Sequence, residues 1–252
     1  MIRLGTRSSR LAVAQARLVA DALPGAEIVT MQTAGDRDRQ RRFDQIGDGR
    51  GVFTRDIERA LAEGEIDAAV HSAKDLTGDM PDGLAIGAVL PREDARDALC
   101  GPYAALAEIP AGARVGTSSA RRAALLAELA PDVRVVPLRG NVDTRLRKLD
   151  AGEADAIVLA AAGLIRLGLE GRIACLLDPH VFVPEAGQGA IAVQVRRGDE
   201  GLVAALDHAP TRAAVDAERA SVAELGGGCT VPVAAYAWHE GGELKLRRWA
   251  AA

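Results

Sequence analysis

The sequence predicts an α/β protein of two similar halves facing one another across a cleft, followed by a small α+β C-terminal unit. Three observations carry this. Strand-like and helix-like hydrophobic patterns alternate along the first 160 or so residues. A glycine turn that runs into serines and a helix occurs twice, as Gly5-Thr6-Arg7-Ser8-Ser9 and as Gly116-Thr117-Ser118-Ser119. A chain of net charge −4 also packs seven arginines and Lys148 into residues 114–148, against only Glu128, Asp132 and Asp143, for a local charge of +5.

In chain order, a strand near Ile2 to Leu4 leads into a helix carrying Leu11, Val13, Gln15, Leu18 and Leu23, and a second strand follows at Glu27 to Thr30. The stretch from Gly35 to Gly51 is charge and glycine; it reads as a surface loop or as a lid over the cleft. Phe53, Ile57 and Leu61, four apart, mark the next helix; strands follow at Ala68 to Val70 and Leu84 to Leu90. A second series from about Asp94 runs strand, helix, strand, helix, strand to Ala160, then helical pieces near Leu164 and Ile173. This alternation predicts largely parallel sheets. The apolar strand Ala190 to Val195 comes after the second series closes, so it is expected to return to the first sheet. A helix over Ala213 to Glu224 and a hairpin, Val231 to Trp238 and Leu244 to Trp249, turning at Glu240-Gly241-Gly242, complete the chain.

The two turns predict an anion site. A helix entered through a glycine turn and a serine cap presents free N–H groups and the positive end of its dipole. Arg121 and Arg122 follow the second turn, Arg139-Gly140-Asn141 follows the apolar run Val133 to Leu138, and Asn141 is expected to cap the helix that carries Arg145. Arginine forks suit carboxylates and phosphates. With 3% aromatic residues and a sequence pI of about 5.7, nucleic acid is a poor candidate for the anion, and a small polyanion a better one. Cys100, Cys175 and Cys229 lie far apart, and the four histidines are scattered, so neither disulfides nor a metal site is expected. No targeting or membrane segment is evident, and a cytoplasmic monomer is expected.

His71-Ser72-Ala73-Lys74-Asp75 comes straight after a strand, where open α/β sheets bind ligands. There Asp75 would be a lone carboxylate among cations, a group that resists protonation and stabilises a cationic intermediate or moves protons. Cys229, preceded by Gly226-Gly227-Gly228, is a thiol with a side-chain-free approach.

These motifs together resemble those of the hydroxymethylbilane synthase (porphobilinogen deaminase) family. The likeness runs from Ile2 to about Ala237 through Gly5-Thr6-Arg7-Ser8-Ser9, Val70-His71-Ser72-Ala73-Lys74-Asp75, Arg92-Glu93-Asp94-Ala95-Arg96-Asp97, Val115 to Arg122, Leu138 to Arg145, Gly187-Gln188-Gly189-Ala190 and Gly227-Gly228-Cys229. The resemblance implies two periplasmic-binding-protein-like (type II) domains, residues 1–91 with 188–205 and residues 92–187, plus a cofactor-cysteine domain over 206–252. It implies a transferase in which one dipyrromethane, thioether-linked to Cys229, is extended by four porphobilinogen units. Each unit loses ammonia to give an electrophilic azafulvene, and water releases hydroxymethylbilane, a step of tetrapyrrole and heme biosynthesis.

By motif position, the resemblance implies that Asp75 is catalytic. Lys74, Ser72, Thr117, Ser118, Ser119, Arg121, Arg122, Arg139, Arg145 and Gln188 are to hold the cofactor with Cys229. Arg7, Ser9, Gln15, Phe53, Arg139, Arg145 and Arg166 are to bind substrate. The chain departs from the family at Gly47-Asp48-Gly49-Arg50-Gly51-Val52-Phe53, at Gln45, and at Thr77 and Ala95, and a shortened third domain is expected. The competing class is a two-domain binding protein that captures an anion without chemistry.

Overall fold

The computed structural model describes residues 1–33, 54–76, 80–226 and 232–251. The expected lid, Phe53, Thr77 and Cys229 lie outside the described residues.

The first half is a five-stranded sheet of order β2-β1-β3-β10-β4, formed by β1 (Ile2–Arg7), β2 (Ala26–Met31), β3 (Ala68–Ser72), β4 (Leu84–Val89) and β10 (Ile191–Arg196). Strand β1 runs parallel to both β2 and β3. Helix α1 (Arg10–Ala22) starts at Ser9, whose hydroxyl accepts from the Ala12 N–H, and it buries Ala12, Gln15, Ala16 and Val19. That spacing lays one apolar stripe on the sheet, where Leu4, Val70 and Val193 are fully or almost fully buried. Helix α2 (Arg55–Ala62) packs Ile57 and Leu61 onto the sheet with Ile66 and Leu84.

The second half repeats the arrangement as β7-β6-β8-β5-β9, from β5 (Asp97–Cys100), β6 (Arg114–Gly116), β7 (Arg134–Val136), β8 (Ala156–Ala160) and β9 (Cys175–Leu176). Helices α3 (Ala120–Leu129), α4 (Val142–Asp150) and α5 (Ala161–Arg166) link or follow its parallel strands. In each sheet one strand runs against the other four, β10 in the first and β5 in the second. The largely parallel sheets expected from the alternating pattern are therefore mixed. Neither β5 nor β10 is fed by a crossover helix, so nothing forces the parallel direction. Strands β5 and β6 begin the second half with only a short 3-10 turn between them, and the expected helix near Ile173 is the 3-10 turn Glu170–Arg172, with β9 after it. Strand β10 does return to the first sheet, between β3 and β4.

Beyond β10, helix α6 (Ala209–Glu224) packs under the hairpin of β11 (Val233–Glu240) and β12 (Glu243–Ala250), which turns at Gly241-Gly242 with positive φ at both. Glu218 of α6 is 0% exposed and gathers three segments: Arg92 at 2.6 Å, the Gly187 N–H at 2.7 Å and the Ala237 N–H at 2.7 Å. At the mouth of the cleft an exposed pair, Arg10 and Asp143 at 2.6 Å, joins α1 to α4.

Candidate active site

Between the halves lies a cavity of about 510 Å³, within the range of small-molecule sites. The first half contributes Arg7 at the end of β1, Ser9 and Gln15 from α1, and Ser72, Lys74 and Asp75 where β3 ends. The second half contributes Ser118, Arg122, Arg139, Arg145, Lys148 and Arg166. Both sets sit beyond the carboxyl ends of parallel strands, so one topological rule places them. Among the described residues seven cationic side chains and one carboxylate, Asp75, line the space.

Asp75 ends the 3-10 turn Ala73–Asp75, and no hydrogen bond or ion pair reaches its carboxylate among the described residues. Burial pushes its pKa up, and this outweighs Lys74 and Arg7, which pull it down. The expectation that Asp75 resists protonation is thus corrected in sign: taking the carboxylate out of water matters more than the cations at this distance. A carboxyl raised in this way is better matched to proton transfer near neutral pH. Burial likewise lowers Lys74, whose ammonium lies 3.3 Å from Gln188 Oε1 and 3.9 Å from Glu185. On the same wall Gln15 and Ser72 hold each other through a pair of hydrogen bonds of 2.9 and 3.1 Å.

The arginines divide into two kinds. Among the described residues Arg145 hydrogen-bonds only the Gly140 carbonyl, at 2.7 Å, and burial with Arg122 nearby lowers its pKa to about 10. Arg166 donates to the Gly189 carbonyl at 2.7 Å, and its pKa is also lowered by burial. These are desolvated cations whose partners are carbonyls, which is the state of a site built for an anion. Arg122, by contrast, is committed to Asp97 at 2.7 Å. Asp97 is 0% exposed, and Arg121 and Arg122 overcome its burial to hold it at about 2.

Arg121 is not on the cavity wall. It is 4% exposed, bonded to Asp97 at 2.8 Å and the Val183 carbonyl at 2.7 Å, so it braces Asp97 rather than facing a ligand. Thr117 and Ser119 also lie off the wall. Thr117 accepts the Ser119 N–H, and Ser119 caps α3 by accepting the Arg122 N–H. Gln188 is 0% exposed and bridges Ala95, Asp97 and Lys74, one layer behind the cavity. Arg114 pairs with Asp155 at the opposite end of the strands, and Arg134 and Arg147 are exposed, so only part of the charge cluster reaches the cleft.

Sequence reasoning missed Lys148, Asn141 and Thr144 on the wall. Asn141 stands at the N-cap of α4 but its side chain makes no capping bond, contrary to expectation. Lys148 lies three residues beyond Arg145, on the same helix face, a spacing that could have found it. Gly189 holds the Arg166 acceptor in place: its φ is +86°, and a Cβ there would lie 2.4 Å from the Glu93 carbonyl. Cys100 is buried, with its thiol pushed up to about 11 by burial, which makes it a poor nucleophile. Among the described residues no cluster of three or more His, Cys, Asp or Glu could hold a metal, and no helix is long and apolar enough to cross a membrane.

The family model described as "Porphobilinogen deaminase, dipyromethane cofactor binding domain" matches residues 2–204, and "Porphobilinogen deaminase, C-terminal domain" matches residues 212–249. A porphobilinogen deaminase of Roseiflexus sp. strain RS-1 is 52% identical over 254 residues, covering 97% of this chain and 84% of that protein. One from Ralstonia nicotianae is 49% identical over 259 residues, covering 98% and 77%. The solved immunogenic lipoprotein A of Vibrio vulnificus aligns at 13% identity and a TM-score of 0.48 over 86% of this chain and 99% of its own. That likeness is too loose to add to the topology described above.

Proposed function

The chain belongs to the porphobilinogen deaminase family, and from that premise we propose that the cavity is where porphobilinogen units are joined to a dipyrromethane primer tethered to Cys229. Among the described residues Asp75 is the one carboxylate on a wall with seven cationic side chains and has no hydrogen-bond or ion-pair partner, and this carries the reading. Every pyrrole of primer and substrate bears an acetate and a propionate, so the growing chain is a polyanion, and the desolvated Arg145 and Arg166 fit its carboxylates. When bound, the primer supplies the nucleophilic carbon that each unit joins.

The protein's own groups divide the work. Arg139 and Arg145, with Ser118, Ser72 and Lys74, hold primer carboxylates, while Arg122, committed to Asp97, adds positive charge to the wall behind them. Arg7, Ser9, Gln15 and Arg166 orient the incoming unit. Loss of ammonia leaves positive charge on a pyrrole, and Asp75 stabilises that charge more in the transition state than it aids binding of an anionic substrate. Its raised pKa lets it take and return protons between additions. Asp97, Arg121 and Gln188 act at one remove, fixing Arg122 and Lys74. A receptor that merely captured anions would gain nothing from an unpaired carboxylate in its site. This reading divides the chain into 1–91 with 188–205, 92–187 and 206–252, working as a cytoplasmic monomer without nucleic acid or membrane.

Intact-protein mass spectrometry with peptide mapping tests the tether: purified enzyme should carry one dipyrromethane, on Cys229 only. Activity retained in Cys229→Ser would overturn it. Asp75→Asn keeps the shape without the charge and should accept the primer yet lose turnover by at least about a hundredfold. Elongation intermediates formed at the wild-type rate in single-turnover mixing would remove Asp75 from the mechanism.

A further inference from the structure

Beside Asp75 the cavity continues into a pouch of about 50 Å³. It shares Arg7, Ser9, Leu11, Gln15, Ser72 and Asp75 with the main cavity and has Ala12, Thr54, Val70 and His71 to itself. One water needs about 10–15 Å³ of such space, so the pouch holds a few water-sized molecules. A pyrrole with two carboxylate arms does not fit. Its occupant is small and forms hydrogen bonds.

The wall supplies an unused acceptor. His71 is 5% exposed, and its Nε2 lies 3.1 Å from Gln194 Oε1. The Gln194 amide nitrogen donates to Glu58 Oε1 at 3.2 Å, which turns the amide oxygen toward the imidazole. His71 therefore carries its proton on Nε2 and keeps a lone pair on Nδ1, for which the described residues offer no partner. Burial first, and Arg7 in addition, lower the His71 pKa to about 4 against the opposing Gln194 bond, so the ring is neutral at neutral pH.

We propose that this pouch is an ammonia subsite: it receives the ammonia lost by each porphobilinogen and holds it by an N–H donated to His71 Nδ1. When the C–N bond of the protonated aminomethyl group breaks, the bonding pair stays on nitrogen, which leaves as neutral ammonia. The positive charge remains on the pyrrole, facing Asp75. No other proton donor or co-reactant is required. A neutral imidazole suits this role, because it can bind ammonia without trapping it as a paired ion. The inference rests on the reading of Asp75 as the catalytic carboxylate.

Two variants of the holoenzyme test it. Ala12→Val fills the pouch, and His71→Leu removes the acceptor. After rapid mixing with porphobilinogen, both should release ammonia about tenfold more slowly, the scale of one lost hydrogen bond. Primer loading by mass and water-dependent release of product from preformed complexes should stay as in wild type. In histidine-15N-labelled enzyme without substrate, ammonia added above pH 9 should shift the His71 Nδ1 resonance, and Ala12→Val should abolish that shift. Wild-type ammonia release in both variants would overturn the proposal, as would slowing confined to product hydrolysis, which would assign the pouch to water. A wild-type rate in Asp75→Asn would instead sink the reading of the site itself.

Discussion

Arg145 and Arg121 belong to one stretch of positive charge, yet they face opposite demands. Arg145 is withdrawn from water against carbonyls alone, whereas Arg121 is locked to the buried Asp97. Arg145→Leu should therefore unfold in urea within about 1 kcal/mol of wild type, or later, while primer loading fails. Arg121→Leu should cost about 3–5 kcal/mol, because a buried carboxylate loses one of its two cations. His71 adds a pH signature. Its folded pKa, about 4, lies below the ordinary 6.5, so its contribution is intact above pH 6.5 and is lost as pH falls through 4. The loss should be roughly 3 kcal/mol, and His71→Gln should flatten urea-derived stability between those two pH values. The sequence revealed which residues were charged but not how the charges pair. Counting acids only within 114–148 left out Asp97, which lies outside the segment in sequence and at its centre in space. Asp75 was legible from its place after a strand. Its raised pKa was not, since burial is a property of the assembled cleft.

Among the elements, capping separates two helices that look alike in sequence. Ser119 accepts a backbone N–H at the start of α3, whereas the Asn141 side chain at the start of α4 caps nothing and lines the cavity. Ser119→Ala should cost about 1 kcal/mol in urea unfolding, and Asn141→Ala only a few tenths, with its effect falling on primer loading instead. Helix α2 was legible because Ile57 and Leu61, four apart, dictate its buried face, and β3 because it is a short apolar run; α1 was legible as a helix, but it buries Ala12, Gln15, Ala16 and Val19 and leaves Leu18 exposed. Strand direction was not: β5 and β10 read as apolar runs, and only their partners make them antiparallel. The two-residue strand β9 is too short to have a period at all. The hairpin was legible through the glycine pair at its turn.

For the whole molecule, the return of β10 to the first sheet has a consequence for the order in which the enzyme is made. Val193 pairs with Val70, so the central ladder of the first sheet closes a loop of more than a hundred residues, an entropic cost that only a completed chain can meet. Strands β5 to β9 need nothing from beyond residue 177 for their own pairing. During synthesis the second half can thus form its sheet while β3 and β4 still lack the strand that separates them. Pulsed hydrogen exchange during refolding should protect amides of β6 and β8 before those of β3 and β4, and simultaneous protection would refute the order. Lys74 and Asp75, carried at the end of β3, would then be set in place last, so a nascent chain would hold its arginine wall before it holds its acid. An enzyme assembled in that order can concentrate anions before it is able to act on them.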